Sequence, residues 1–280
     1  MKTCDLHTHS YYSDGEESPA EVVRKAKRAG IEYLALTDHT SVKGIEEATK
    51  EGEKQGIKII PAIELRAKEG EVLGYFIDYK NKSLIKTISK VNKQVESKIE
   101  YFCKRLQEKG YDISFKELQT RFPNAKGNLI EFQPFYLFYI KGYASSLQDS
   151  FKIIRELKLK RKKIKEIPIE KAIEVIVQAG GVPVLAHPWA EEDSRNLLKE
   201  YRLKKLIKAG LKGLEIDNGD RDKRRTPEII SRIRYLSKKY NLINTAGSDY
   251  HRENGFPGNI HQLGSSGCNI KIIKELERLR

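Results

Sequence analysis

Seven short apolar, β-rich runs, at 3–6, 31–36, 57–63, 72–77, 182–186, 213–216 and 242–246, recur along the 280 residues with helical stretches between most of them. Strands separated by helices predict a parallel α/β sheet or barrel, because each helix returns the chain to start the next strand. Ser18-Pro19-Ala20-Glu21 is a helix start: serine caps, proline suits the first turn and glutamate suits the dipole. That helix ends at Gly30, and a second, over 170–179, ends at Gly180-Gly181 before a strand.

Five of the six histidines stand in motifs with carboxylates just beyond these runs. His7 and His9 lie in Asp5-Leu6-His7-Thr8-His9, His39 in Thr37-Asp38-His39, His187 in Ala186-His187-Pro188, and Asp249 and His251 in Gly247-Ser248-Asp249-Tyr250-His251. Strand ends are where barrels and open α/β sheets gather residues that are distant in sequence. In an extended segment His7 and His9 face the same way while Thr8 points elsewhere. Glu64 ends the third apolar run, where an unpaired carboxylate is costly to bury and a ligand role relieves the cost. Asp14, in Ser13-Asp14-Gly15-Glu16, reads as a ligand or as a turn aspartate. Asp38 is placed to orient a neighbouring imidazole. His261 reads as an ordinary surface histidine, and Trp189 as a packing residue or a pocket wall. Imidazole and carboxylate without cysteine pairs suit zinc, manganese or iron(II), and such mixed sets do chemistry more often than they staple folds. The chain reads as a metal-dependent hydrolase.

A hydrophobic content of 39% is enough for a proper core. No apolar run approaches the roughly 20 residues of a membrane span, and the first motif begins at Asp5, so no signal peptide, a cytoplasmic location and no membrane partner are expected. Cys4, Cys103 and Cys268 are scattered, which fits a reducing compartment, and Cys4 reads as a small core residue. Charge is uneven. Residues 80–166 carry 21 Lys and Arg against 9 Asp and Glu, a net +12 of the chain's +14. This segment breaks the alternation of elements and reads as an inserted, mainly helical cap. Its field draws phosphates or nucleic acid, or else belongs to a solvated face. The aromatic stretch around Phe135, Tyr136, Phe138, Tyr139 and Tyr143 reads as cap core before a base-stacking platform.

The ordered set of His-x-His with a downstream Asp, Thr-Asp-His, a strand-end Glu, Ala-His-Pro and Gly-Ser-Asp-x-His resembles the PHP (polymerase and histidinol phosphatase) superfamily. Its members have a distorted seven-stranded β/α barrel and a trinuclear metal centre. The resemblance spans nearly the whole chain. Ser18-Pro19, Leu36-Thr37-Asp38-His39, Ile59-Ile60-Pro61, Leu73-Gly74-Tyr75-Phe76-Ile77-Asp78, Ala179-Gly180-Gly181 and Leu185-Ala186-His187-Pro188 look like one branch of it. That branch contains nucleoside 3′,5′-bisphosphate phosphatases that also trim RNA from its 5′ end, and it carries a helical insertion where this chain has its basic segment.

The resemblance implies one metal held by His7, His9, Glu64 and Asp249, a second by Asp14, His39 and His251, and a third reached by Glu64 and His187. A histidine usually stands just before the Leu-Gly-Tyr segment; this chain has Glu71 there, which adds negative charge. Where the insertion of the branch carries an Arg-x-His pair that looks phosphate-directed, this chain has Glu131 and Gln133.

The expectation is a PHP-type β/α barrel made by residues 1–79 and 167–280, with the cap at 80–166 and two or three divalent metal ions, manganese, zinc or iron. Its chemistry is hydrolysis of a phosphate ester, a nucleoside 3′,5′-bisphosphate or short 5′-phosphorylated RNA, by attack of a hydroxide bridging the metals. The substrate is a small phosphorylated molecule, nucleotide or short RNA, and no protein partner is expected. Two other readings use the same residues: a phosphatase for histidinol phosphate or another small phosphomonoester, and a degenerate barrel that only binds nucleic acid. Retention of the ligand set favours the enzyme.

Overall fold

Every apolar run forms a strand. The computed structural model describes residues 3–125, 132–160, 162–190, 192–218, 224–253 and 262–280. Strands β1 (Cys4–Thr8), β2 (Tyr33–Leu36), β3 (Lys58–Ala67), β4 (Gly70–Tyr75), β5 (Val182–Leu185), β6 (Gly213–Asp217) and β7 (Ile243–Ala246) make one sheet in sequence order. Between and after them come α1 (Pro19–Arg28), α2 (Ile45–Gln55), α3 (Lys82–Gln107), α4 (Phe115–Arg121), α5 (Gln133–Ile140), α6 (Leu147–Glu156), α7 (Ile169–Gln178), α8 (Glu192–Asn196), α9 (Glu200–Ala209), α10 (Pro227–Tyr240) and α11 (Lys271–Arg278). Helix α1 begins with the expected reciprocal cap, Ser18 accepting from the Glu21 amide while the Glu21 carboxylate accepts from the Ser18 amide. Among the described residues no helix is long and apolar enough to cross a membrane.

The sheet is mixed and not all parallel, which corrects the expectation from alternation. Strand β4 runs antiparallel to both β3 and β5, and the remaining pairs are parallel. The reason is chain length: only Lys68 and Glu69 separate β3 from β4, a hairpin connection, whereas a parallel neighbour needs a crossover of about a dozen residues. Strand β3 also continues to Ala67, so Glu64 lies inside it and not at its end. Likewise His7 is within β1.

The chain just beyond β7 meets the last residues of β1. Asp249 N donates to His7 O at 2.7 Å, His9 N donates to Tyr250 O at 2.8 Å, and Thr8 and Tyr250 form a parallel bridge. These bonds nearly close the sheet into a barrel. They are possible because residue 247 is glycine: a Cβ there would lie 2.2 Å from the His7 amide nitrogen.

Alternating strand positions sort the core. Cys4 and Leu6, Ile60 and Ala62, Leu73 and Tyr75, and Val182 and Val184 pack together with Ile273 and Leu276 of α11. Leu34 and Leu36 instead face Val22, Val23 and Ala26 of α1. Helix α7 covers β3, β4 and β5. The helical segment between β4 and α7 shares this outer layer, since Leu84, Val91, Val95, Ile99, Cys103 and Leu106 of α3 lie in one cluster with Ile63, Leu65 and Ile173. Their spacing of three, four or seven residues is one helix face. Phe138 packs its ring at a tilt against Tyr111 and Tyr143 inside that segment, and Trp189 is fully buried as a packing residue.

Gly247→Ala tests the closure. The added methyl meets backbone, which cannot swing aside, so a stability loss of about 1–3 kcal/mol or more is expected. Urea unfolding measures it; an unchanged midpoint would show that the β1–β7 seam yields freely.

Candidate metal centre

The barrel brings all nine expected ligand residues, His7, His9, Asp14, His39, Glu64, Glu71, His187, Asp249 and His251, into one cluster. Four overlapping groups have mutually close ligand atoms: His9, Asp14, His39 and His251; His7, Glu64 and His187; His7, His9 and Asp249; and His39, Glu64 and Glu71. Glu64 is the hub. Its oxygens lie 3.2 Å from His7 Nε2, 3.5 Å from His9 Nε2, 2.9 Å from His39 Nδ1 and 2.9 Å from His187 Nε2. Asp249 faces His7 and His9 at 3.4 and 3.2 Å, and Asp14 faces His251 at 3.2 Å. Glu71 sits 3.1 Å from His39 and 3.8 Å from His187, nearer the His39 group than its expected partner.

Local backbone aims these groups. Period-two geometry in β1 turns His7 and His9 to one side, while Thr8 Oγ1 donates to Ala35 O on the neighbouring strand. Thr40 N donates to Glu64 O and His39 bridges Glu64, which holds the turn after β2 against β3. Asp249 adopts a left-handed backbone, φ 53°, at the exit of β7. Asp38 does not orient an imidazole: its carboxylate accepts from the Ser10 amide and the Ser10 and Ser13 hydroxyls, fixing the loop that carries Asp14. A carboxylate adjacent in sequence to His39 points to the opposite side of the extended chain, and there the loop donors meet it.

Burial alone would lower the pKa of His7, yet Glu215, Glu64 and Asp249 around it raise it well above the ordinary histidine value. Burial likewise opposes charge on His39, but Glu64, Glu71 and Asp14 raise its pKa well above normal, and His187, beside Glu64, is brought up to about 9. His9 goes the other way, to about 4, through burial and the neighbouring His251 and His39. Against burial, the surrounding histidines hold Glu64 and Asp249 well below the usual carboxylate range.

Nε2 of His7, both ring nitrogens of His9, Oδ1 of Asp14 and both Glu64 oxygens are buried without an aligned hydrogen bond. Buried polar atoms are normally paired. Here nitrogen and oxygen lone pairs converge on shared points in a strongly negative field, the condition that divalent cations satisfy, so the residues present fit such ions.

Glu215 was missed by the sequence reading. Fully buried, it accepts from His7 Nδ1 at 2.9 Å and from the His187 amide at 2.7 Å, leaving His7 Nε2 aimed at the cluster. The signal was present: a glutamate inside the apolar run 213–216 carries the same burial cost that singled out Glu64. Asn218, whose side chain donates to Asp249 Oδ2, had no such signal. His261 and Glu131 lie outside the described residues.

A seven-stranded, nearly closed β/α barrel with a histidine and carboxylate cluster at one end defines the class of metal-dependent hydrolases. The chain belongs to the PHP domain family, whose sequence pattern matches residues 5–178. It is 27% identical over 259 residues to the phosphoribosyl 1,2-cyclic phosphate 1,2-diphosphodiesterase of Eggerthella lenta, covering 90% of this chain and 95% of that one. It is 29% identical over 279 residues to a 5′-3′ exoribonuclease of Haemophilus influenzae, with 95% and 94% covered. With the 3′,5′-nucleoside bisphosphate phosphatase of Chromobacterium violaceum it shares 25% over 264 residues, covering 90% and 88%. The fold matches that of a metal-dependent phosphoesterase structure from Bifidobacterium adolescentis with a TM-score of 0.85 at 23% identity, over 99% of this chain and 96% of that one.

Glu215→Gln removes one of two acceptors. The affinity for added zinc or manganese should fall about 10- to 100-fold while far-ultraviolet circular dichroism stays the same. Unchanged metal titration curves would assign Glu215 a packing role alone.

Proposed function

We propose that this PHP-family phosphoesterase hydrolyses a phosphate ester on a phosphorylated ribose, a nucleoside 3′,5′-bisphosphate or the 5′ end of a short RNA. Two or three divalent ions, manganese, zinc or iron, would be held by His7, His9, Asp14, His39, Glu64, Glu71, His187, Asp249 and His251, with residues 80–166 as the cap. The observation that carries this is the convergence of all nine residues around buried Glu64. The relatives named above act on cyclic phosphate, RNA or nucleoside bisphosphate, and phosphorylated ribose is their common chemistry. The first of them supports a second reading, hydrolysis of a cyclic phosphodiester of phosphoribose.

Divalent ions supply Lewis acidity to phosphoryl oxygens and lower the pKa of water. The residues of this chain supply the rest. Glu215 holds the His7 ring by its Nδ1, and Asp38 holds the loop of Asp14, so the acceptor atoms are placed before substrate arrives. Burial of His7, His9 and Glu64 keeps bulk water off the cluster and strengthens its electrostatics. In the cap, Lys162 and Lys163, together with Lys98 paired to Glu166, border a cavity of about 420 Å³ walled by Tyr101, Phe102 and Phe135, and the two lysines beyond that pair favour an anionic strand bearing flat bases.

Chelation should abolish hydrolysis, and adding back manganese, zinc or iron(II) should restore it, in a panel of adenosine 3′,5′-bisphosphate, short 5′-phosphorylated RNA, histidinol phosphate, a cyclic ribose phosphate and an aryl phosphate. Asp249→Asn and His9→Ala should lose turnover while keeping most of their thermal stability. Failure to hydrolyse any member under every metal would leave only a nucleic-acid-binding barrel.

Lys162→Glu with Lys163→Glu should raise KM for RNA several-fold more than for the aryl phosphate. The difference should shrink as salt rises, since exposed charges are screened over about 8–10 Å. Equal losses at all salt concentrations would make the lysines a solvated face.

A further inference from the structure

Two cysteines far apart in sequence face each other in the fold. Cys4 N donates to Cys268 O at 3.2 Å and Cys268 N donates to Cys4 O at 3.1 Å, forming an isolated antiparallel bridge. Both are free thiols, Cys4 fully buried in β1 and Cys268 half-buried before α11. Neither belongs to the histidine and carboxylate cluster.

We propose that Cys4 and Cys268 are a reversible oxidation site, at which hydrogen peroxide joins the two sulfurs in a disulfide that fastens the segment entering α11 to β1. An antiparallel pair that exchanges both backbone bonds has its Cα atoms about 5.5 Å apart. That separation falls inside the roughly 4.4–6.8 Å that a disulfide spans. Because the bridge is isolated from any longer ladder, the chain around Cys268 has room to adjust as the sulfurs join. The two thiols also interact directly. The Cys268 thiol bonds to the Cys4 sulfur and holds the Cys4 pKa below the ordinary thiol value, while the same bond, with burial, pushes Cys268 up. Thr3 Oγ1, 3.7 Å from Cys4 Sγ, adds to the lowering. Cys103 differs in every respect: it is buried on α3, and burial pushes its thiol up to about 12, the setting of an inert cysteine.

Oxidation proceeds in two steps. The Cys268 thiolate, on the accessible side, attacks one oxygen of hydrogen peroxide and becomes a sulfenic acid, releasing hydroxide. The Cys4 thiolate then attacks Sγ of Cys268, forming the S–S bond and expelling a second hydroxide. The two thiol protons turn both hydroxides into water, and the two electrons lost by the sulfur pair are those gained by the peroxide. A lowered pKa suits Cys4 to the second step.

What the bond holds is the floor of the barrel. Cys4 and Leu6 pack with Ile273 and Leu276 of α11, and Asp5 accepts from the Ser248 and Gly264 amides. These contacts fasten the last helix to the strand that carries His7 and His9. A covalent link at the same place encloses nearly the whole chain, and long loops gain most from closure because the unfolded chain loses most freedom.

The test compares the reduced full-length protein with protein treated with hydrogen peroxide and then with dithiothreitol. Peptide mapping should find Cys4 joined to Cys268 within one chain and Cys103 still a thiol, and dithiothreitol should return both cysteines to the reduced form. Oxidation should raise Tm by about 5 °C or more and slow amide exchange in α11. Cys268→Ser should lose both effects, and Cys103→Ser should keep them. Three results would overturn the proposal: Cys268 oxidised to a sulfinic acid with Cys4 left as a thiol, disulfides only between chains, or a cross-link that leaves Tm and α11 exchange unchanged. The oxidised and reduced forms share the unaltered sequence, so the comparison stands even where a variant fails to fold. No readout involves phosphate ester hydrolysis, and the site therefore stands or falls apart from the catalytic reading.

Discussion

The Glu64 carboxylate, buried among His7, His9, His39 and His187, is the interaction on which the molecule turns. An ionised carboxylate removed from water costs several kcal/mol unless positive charge meets it. Three imidazoles held toward the charged form, those of His7 in β1, His39 in the turn after β2 and His187 in the turn after β5, meet it here with the neutral His9 ring beside them, so the barrel must hold these separate segments in contact. The hairpin reversal at β4 also serves this site. Running antiparallel beside β3, it sets Glu71 across from Arg66 and within reach of the His39 ring.

A second layer of buried carboxylates makes that contact durable. Asp5 accepts from the amides of Ser248 and Gly264, joining β1 to the chain beyond β7. Asp38 gathers the Ser10 to Ser13 loop, and Glu215 gathers His7 and the His187 amide. Burial is the leading influence on Asp5 and Asp38 and pushes both pKa values up, while the donors around them pull the other way. Each such residue converts the burial cost of a charge into a positional constraint on a segment that carries a member of the histidine and carboxylate cluster. Distance between elements is thereby set by hydrogen bonds 2.7–3.0 Å long, tighter than apolar packing alone enforces.

The helical segment between β4 and α7 is held by the same kind of tie. Asn92 of α3 donates to Thr40 O beside the His39 turn, and Gln133 of α5 donates to Ser13 O beside Asp14. Its apolar face is continuous with the layer over β3 and β4. The helical segment and the barrel therefore border one cleft, in which Arg121, Phe122, Phe132 and Tyr136 line the wall together with the loop of Asp14.

The strands, helix caps and histidine motifs were legible in the sequence because they are local: apolar runs, a capping box and imidazoles beside carboxylates state their roles within a few residues. Tertiary structure alone decided what depends on partners far along the chain. Glu215 acts on a histidine 208 residues away, Gly247 is required by the backbone of His7, and Cys4 pairs through backbone with Cys268. The role of Asp38 could not be assigned from its neighbour His39, because adjacent residues of an extended chain face opposite ways and only the folded loop shows which donors lie there. Local chemistry determined which residues this protein would bury and charge; closure of the barrel decided which of them meet, since hydrogen bonds and ion pairs act over a few ångströms of space and not along the chain.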